Sequence, residues 1–151
     1  MEADTFPEDL ADVLVGVQRL IRRRLRGGIT GPRLRGAEVE LLRLVESRPG
    51  IGVSEAAGHL HLASNSVSTL VNRLARDGHL LRETDPADRR AARLLLTGAA
   101  EQRLADWRRR RTELVGRHVS RLDEADREAL RAALPALRRL ARTLHEQAGE
   151  S

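Results

Sequence analysis

The chain has 151 residues, enough for one domain with a hydrophobic core, and its 27 basic and 22 acidic side chains give a formal net charge of +5. Every basic residue is arginine, which either serves contacts with phosphate or reflects a genome-wide codon bias, and the absence of cysteine excludes disulfides and thiol redox chemistry. No apolar run approaches the ~20 residues of a membrane span and no signal peptide opens the chain, so we expect a soluble, cytoplasmic protein.

The first predicted element is an amphipathic helix from about Thr5 to Arg26. Thr5 and Glu8 have the spacing of a capping box, with Pro7 in the first turn. Apolar residues then recur every three or four positions, which marks one face of the helix for burial. The glycines and the proline within residues 27–32 predict where this helix ends.

Three shorter helices and one strand are predicted next. The second helix spans roughly Gly36 to Ser47, and the apolar residues 50–53 suit a brief strand. We expect Ser54 to cap a third helix and Ser64 to cap a fourth, which stops at Asp77-Gly78.

The fourth helix is a candidate functional element because one of its faces is polar. Val67, Leu70, Val71 and Leu74 are expected to face inward, with Ser68 and Thr69 near the middle of the outward face. The outward positions are Asn65, Ser66, Ser68, Thr69, Asn72, Arg73 and Arg76. Short Asn, Ser and Thr side chains are of the right size to meet base edges in a major groove, and the arginines add cations for phosphate.

Two apolar arms around a polar tip predict a β-hairpin after the fourth helix. The arms are residues 79–84 and 91–96, and the tip at residues 85–90 is Asp-Pro-Ala-Asp-Arg-Arg. The hairpin follows the polar-faced helix directly, so the two elements are expected to lie side by side.

Two long helices complete the chain. Thr97 can cap a helix from Gly98 to about Ser120, and Asp123 opens the last helix, in which apolar residues recur at heptad-like spacing. Pro135 should bend or loosen that helix, because proline has no N–H to donate. The sequence therefore predicts a mainly α-helical protein with a small β-hairpin.

Two short helices, a polar-faced helix and a hairpin form the pattern of a winged helix-turn-helix. The tip at residues 85–90, followed by Leu95-Leu96-Thr97, closely resembles the wing signature of the multiple-antibiotic-resistance-regulator (MarR) family. Residues 66–74, followed by residues 77–80 (Asp-Gly-His-Leu), resemble that family's recognition helix and exit turn. With the long flanking helices, the resemblance covers nearly the whole chain.

The resemblance implies a homodimer that binds double-stranded DNA at a pseudo-palindromic site, with recognition helices in successive major grooves and wings in adjacent minor grooves. By position, Arg90 matches the wing arginine that enters the minor groove, Asp88 the acid that orients it, and Arg89 a variable position that contacts phosphate or solvent. An arginine suits a narrow, negative minor groove. An Asp88–Arg90 pair that only rigidifies the hairpin is the alternative interpretation.

The resemblance also implies a division of the single chain, residues 1–151. Residues 33–97 would form the winged helix-turn-helix DNA-binding part, and residues 5–28 and 98–147 would form the helical dimerisation part. The implied function is a transcriptional regulator, a repressor that a small aromatic or phenolic effector releases from DNA. The absence of cysteine disfavours the peroxide-sensing branch of the family, which needs a reactive thiol.

Three positions depart from the family pattern and bear on packing. Arg35 stands where a small hydroxyl residue often caps the second helix, so we expect that helix to begin about one turn later. Ala56 replaces a larger apolar residue, which predicts a thinner local core, and Ala100 stands where glycine is common.

Other arginine clusters leave alternatives open. The cations within residues 17–35, a stretch without acidic residues, either contact phosphate or form a solvated helix end. The run Arg108–Arg111 forms a solvated face or a clamp for an anionic ligand, with Arg111 as the best candidate because it falls between apolar positions.

No catalytic or metal-binding constellation is evident in the sequence. His59 and His61 are two residues apart on a helix and do not share a face, so they form a poor metal pair. We therefore expect neither enzymatic activity nor a cofactor or metal. The alternative function is a winged-helix module that binds proteins, or DNA without a defined operator.

Overall fold

The computed structural model describes residues 4–26 and 33–148, so the predicted end of the first helix at residues 27–32 lies outside the described residues. The elements in chain order are α1 (Phe6–Leu25), α2 (Gly36–Ser47), β1 (Ile51–Gly52), α3 (Val53–Leu60), α4 (Ser64–Arg76), β2 (Leu80–Thr84), β3 (Ala92–Leu96), α5 (Gly98–Val119) and α6 (Glu124–Ala148). In this part of the chain, no helix is both long and apolar enough to cross a bilayer. The protein is mainly α-helical with a small sheet, which confirms the predicted fold class.

The sheet has three strands in the order β1-β3-β2, and both pairings are antiparallel. The hairpin of β2 and β3 pairs Leu80 with Leu96 at its base and Thr84 with Ala92 near its tip. Its arms therefore lie within one residue of their predicted positions. β1 pairs with β3 over only two residues, and Val53 already belongs to α3.

Two predicted side-chain caps are present. The Thr97 hydroxyl accepts a hydrogen bond from the backbone N–H of Ala100 at 3.1 Å, and α5 begins at the next residue, Gly98. The Asp123 carboxylate accepts from the N–H of Asp126 at 2.8 Å ahead of α6. Both caps satisfy N–H groups that the first turn of a helix leaves without a partner.

The predicted caps at Ser54 and Ser64 are wrong. α3 begins at Val53 after an extended Gly52, because the pairing of β1 with β3 keeps the backbone extended up to that point. α4 begins at Ser64 itself, after an extended Ala63, so this serine lies inside the first turn. Tertiary pairing and the turn before each helix decide these starts, rather than the nearest hydroxyl.

The expected starts of α1 and α2 also differ from the structure. Thr5 does not form a capping box with Glu8, because it has a helical backbone and its hydroxyl donates to the Asp9 carboxylate at 3.2 Å. α2 begins directly after Arg35 rather than a turn later, since the Glu38 carboxylate accepts the N–H of Arg35 at 2.9 Å. A side chain inside the helix thus replaces the missing hydroxyl cap.

The core lies where α2, α3 and α4 pack against the sheet. Its largest fully buried side chains are Leu41, Leu42, Val45, Val67, Val71, Leu74 and Leu94. Ala56 and Ala100 are completely buried as well, and α5 joins this core through Ala100 and Leu104. α1 packs against α5, and α6 continues through Pro135 without ending there.

Candidate nucleic-acid interface

One face of α4 is anchored in the core and the opposite face is exposed. Val67, Val71 and Leu74 are buried, as predicted, and Leu70 is half-buried. The exposed residues follow each other at intervals of three or four and form one polar stripe: Asn65, Thr69, Asn72 and Arg76. We call these four residues the α4 stripe. Gly78 has φ +79, a conformation that suits glycine, and ends the helix where the sequence predicts.

Ser66 is exposed near the N-terminus of α4, but two other predicted site residues are not fully on the surface. Ser68 is half-buried, so Thr69 rather than Ser68 lies at the centre of the outward face. Arg73 is also half-buried, and its guanidinium donates to the Glu38 carboxylate at 3.1 Å. This contact joins α4 to α2 across 35 positions of sequence, which local patterning does not reveal.

Glu38, a partner in this contact, and His79 are both buried polar residues. The Glu38 side chain is only 3% exposed and accepts from both Arg73 and the backbone of Arg35. His79, just before β2, lies with its Nε2 atom 3.4 Å from an Arg103 nitrogen. Burial, and secondarily the charge of Arg103, lower the pKa of His79, which favours its neutral form.

Hydrogen bonds hold the side chains of Asn65 and Thr69 in the α4 stripe. The Thr69 hydroxyl donates to the carbonyl oxygen of Asn65 at 3.0 Å, so the hydroxyl of this exposed side chain can still accept a further hydrogen bond. The Asn65 side-chain oxygen accepts the N–H of Ser66 at 2.8 Å. The stripe is therefore partly preorganised for contacts with a groove.

Arg82 in β2 lies beside the α4 stripe and is a candidate site residue that sequence reasoning missed. Its guanidinium donates to the side-chain oxygen of Asn72, and both residues are exposed. An open groove between α4 and β2 is lined by Thr69, Asn72, Ala75, Arg76, Leu80, Leu81 and Arg82. The available signal was an arginine in the hairpin arm that directly follows the polar helix.

The hairpin tip is held by its two aspartates. The Asp85 carboxylate accepts the N–H of Ala87 at 2.9 Å, and the Asp88 carboxylate accepts the N–H of Arg90 at 3.0 Å. Asp88 thus contacts the backbone of Arg90 rather than its guanidinium. Asp88, Arg89 and Arg90 are exposed, and neither arginine has an acidic partner within residues 4–26 and 33–148.

A second cationic cluster lies where α2 meets α5. The guanidinium carbons of Arg43 and Arg111 lie 4.6 and 4.8 Å from the ring centre of Trp107, a distance suited to cation–π contact. Burial and then the charges of Arg111, Arg108 and Arg22 lower the pKa of Arg43. Arg108 itself pairs with Glu46 at 2.8 Å. Nowhere in the described part of the chain do three His, Asp or Glu side chains come together as a metal ion requires.

A protein-family model and several solved structures are similar to this chain. Residues 35–92 match the model of the MarR family. A transcriptional regulator from Thermotoga maritima is 27% identical, with 95% of this chain and 99% of that chain covered and a TM-score of 0.70. FabT from Streptococcus pneumoniae, solved in complex with DNA, is 21% identical, with 92% and 96% covered and a TM-score of 0.72. PcaV from Streptomyces coelicolor, solved with its natural ligand, is 20% identical, with 93% and 96% covered and a TM-score of 0.58.

None of the curated proteins compared with this chain matches it.

Proposed function

We infer from its membership of the MarR family of winged-helix transcriptional regulators that this chain regulates transcription by binding DNA. We propose further that it is a homodimer that recognises a pseudo-palindromic operator, represses transcription and acts in the cytoplasm. The observation that carries the proposal is the α4 stripe, which is a polar and exposed face of the helix. The β2–β3 hairpin beside it, the wing, carries two exposed arginines at its tip.

In this proposal α4 enters the major groove. Asn65 and Asn72 lie seven residues apart, about 10 Å along a helix axis, so the stripe can face about three base pairs. Thr69 can place its methyl group against a thymine methyl group, and Arg76 at the end of the stripe can reach phosphate. Ser66, Ser68 and Arg73 flank the stripe and complete the proposed contacts of the helix.

The wing supplies the second set of proposed contacts. Arg90 is free of acidic partners in the described part of the chain, so its guanidinium is available for the minor groove. Asp88 supports it through the backbone, which fixes the tip without neutralising the arginine. Arg89 is exposed beside it and suits a phosphate contact.

Exposed apolar surface supports the homodimer. Of the large apolar side chains exposed in the described structure, all but Leu62 and Leu81 lie outside residues 33–97. Those on the long terminal helices include Val13, Leu14, Val17, Leu20, Leu130, Leu134 and Leu144. Monomeric proteins rarely leave such continuous stripes exposed. We therefore assign dimerisation to residues 5–28 and 98–147, and DNA binding to residues 33–97.

The cluster of Arg43, Trp107 and Arg111 supports a small aromatic or anionic effector. Two arginines that stack on one indole repel each other, and an anion beside them would relieve that repulsion. The solved PcaV structure contains a ligand, and we propose that this chain likewise responds to one. Because Arg43 belongs to α2 and Trp107 to α5, the cluster lies between the two proposed parts of the chain.

Selection of bound sequences from a random DNA pool tests the proposal. A homodimer of this kind should enrich an inverted repeat whose half-sites are about 10 base pairs apart, one turn of DNA. Binding that weakens steeply with salt but enriches no sequence would contradict it and favour the module without a defined operator.

A further inference from the structure

We propose that Arg82, on the wing, sets the base that Asn72 reads on the recognition helix, so that Asn72 selects guanine rather than adenine. The inference rests on the proposed function, since it concerns one base position within the operator. It assigns a specificity-determining role to a residue outside the helix that enters the groove.

The contact itself fixes the orientation of the Asn72 amide. Arg82 donates to the side-chain oxygen of Asn72, and arginine has no acceptor that could bind the amide nitrogen instead. The oxygen of Asn72 must therefore face the wing, and its NH₂ group must point away from Arg82. Both residues are exposed in the groove between α4 and β2, where a base edge could approach them.

The position of Arg82 is set by the sheet. β2 pairs with β3 along its whole length, with Arg82 opposite Leu94, and Leu80 and Leu94 are buried. α4 in turn is anchored by Val71 and Leu74, which flank Asn72 and are buried in the same core. The side chains of Arg82 and Asn72 thus meet because the backbones of β2 and α4 are both fixed, and we treat the two side chains as one base-recognising pair.

This orientation changes which base asparagine favours. An asparagine that pairs with adenine must accept from the N6 amino group and donate to N7 at the same time. Here the oxygen already accepts from Arg82, and the positive charge beside it disfavours the amino groups of adenine and cytosine. The pair presents only N–H donors, and guanine offers two adjacent acceptors, N7 and O6. Guanine is therefore the base that the pair selects.

The test uses the full-length protein and the operator obtained by selection, with all four bases substituted at each symmetric pair of positions. The wild-type protein should prefer guanine at one such pair, and Asn72→Ala should remove the preference there. Arg82→Ala should shift the preference at that same pair toward adenine by at least about fivefold, the discrimination of a good bidentate contact.

Arg93→Ala is the matched control. Arg93 is also an exposed arginine of the sheet, and its guanidinium lies against Gly50 rather than Asn72. The Arg93→Ala substitution removes the same charge as Arg82→Ala, so it should weaken binding to all DNA sequences alike without changing any base preference. Arg82→Met, which keeps a long side chain but has no N–H to donate to Asn72, should shift the preference in the same direction as Arg82→Ala and guards against a folding defect.

Uniform weakening by Arg82→Ala, with every base preference unchanged, would overturn the inference and make Arg82 a phosphate contact. The proposed function would stand in that case, since the operator would still be recognised. A wild-type protein that enriches no sequence at all would instead overturn the proposed function, and this inference with it.

Discussion

Replacement of Arg73 by methionine should destabilise the protein strongly, because it leaves the buried carboxylate of Glu38 without its charged partner. The Glu38 side chain is 3% exposed and accepts hydrogen bonds from the Arg73 guanidinium and from the backbone N–H of Arg35. Removal of one partner of a buried pair costs about 3–5 kcal/mol. The Arg73 side chain is 43% exposed, which places the expected cost at the lower end, about 3 kcal/mol.

Urea unfolding followed by circular dichroism, at one fixed protein concentration, measures this loss. Arg76→Met is the matched control, because Arg76 is an exposed arginine on the same helix and should change the unfolding free energy by less than about 0.5 kcal/mol. Glu38→Gln should cost less than Arg73→Met, since it removes the buried charge and keeps an acceptor for the N–H of Arg35. In the Glu38→Gln background, Arg73→Met should cost at least about 1 kcal/mol less than it does alone.

Equal effects of Arg73→Met and Arg76→Met would refute this reasoning. Glu38 would then reach other donors or water, and α4 would not depend on this contact for its position. Additive effects of Glu38→Gln and Arg73→Met would refute it as well, because two residues that share a hydrogen bond must be coupled.

Three further outcomes are expected. Arg90→Ala should weaken binding to the selected operator by about 1–3 kcal/mol and should weaken binding to random DNA much less. Fluorescence anisotropy titrations measure both affinities, and equal losses on the two DNAs would mean that Arg90 contacts only phosphate. Sedimentation at micromolar concentration should give about twice the chain mass of 16.8 kDa, and Leu134→Asp should yield monomers; a monomeric wild type would contradict the proposed assembly. Because burial lowers the pKa of His79 in the folded protein, the imidazole binds a proton more readily in the unfolded chain than in the folded one. The free energy of unfolding should therefore fall as the pH drops below about 6.5. In urea titrations across that range, His79→Gln should reduce the pH dependence.

The sequence predicts those features of the fold that depend on neighbours along the chain. The inward positions of α4, the hairpin arms and the caps at Thr97 and Asp123 each follow from a local pattern, and the structure contains them. The incorrect caps at Ser54 and Ser64 arise where a strand pairing or a preceding turn decides the helix start instead. Local patterns carry no information on such tertiary constraints.

The sequence predicts which residues of the candidate site are exposed more accurately than it predicts which side chains contact each other. The exposed face of α4 and the two wing arginines lie where the sequence places them. Three contacts could not be predicted from the sequence, because each joins two elements and the periodicity of one element does not say which other element packs against it. They are Arg73 with Glu38, Arg82 with Asn72, and Arg43 with Trp107. Arginine side chains are long enough to bridge these gaps, so an outward position on a helix does not determine what the guanidinium binds.

These contacts connect the proposed effector cluster to the recognition helix through α2. Glu38 and Arg43 lie five residues apart on that helix, so about 7.5 Å of rigid backbone separates the residue that holds Arg73 from the residue that stacks on Trp107. On its other side α4 is held by Arg82 from the wing. We propose that an effector bound at this cluster acts on α2, which carries both Arg43 and Glu38, and so on one of the two arginine contacts of α4. The other contact would stay with the wing, so a small rotation of α2 would change the angle between the α4 stripe and the wing. In the proposed complex the α4 stripe and the wing occupy their grooves together, so such a change of angle would weaken DNA binding without unfolding either element.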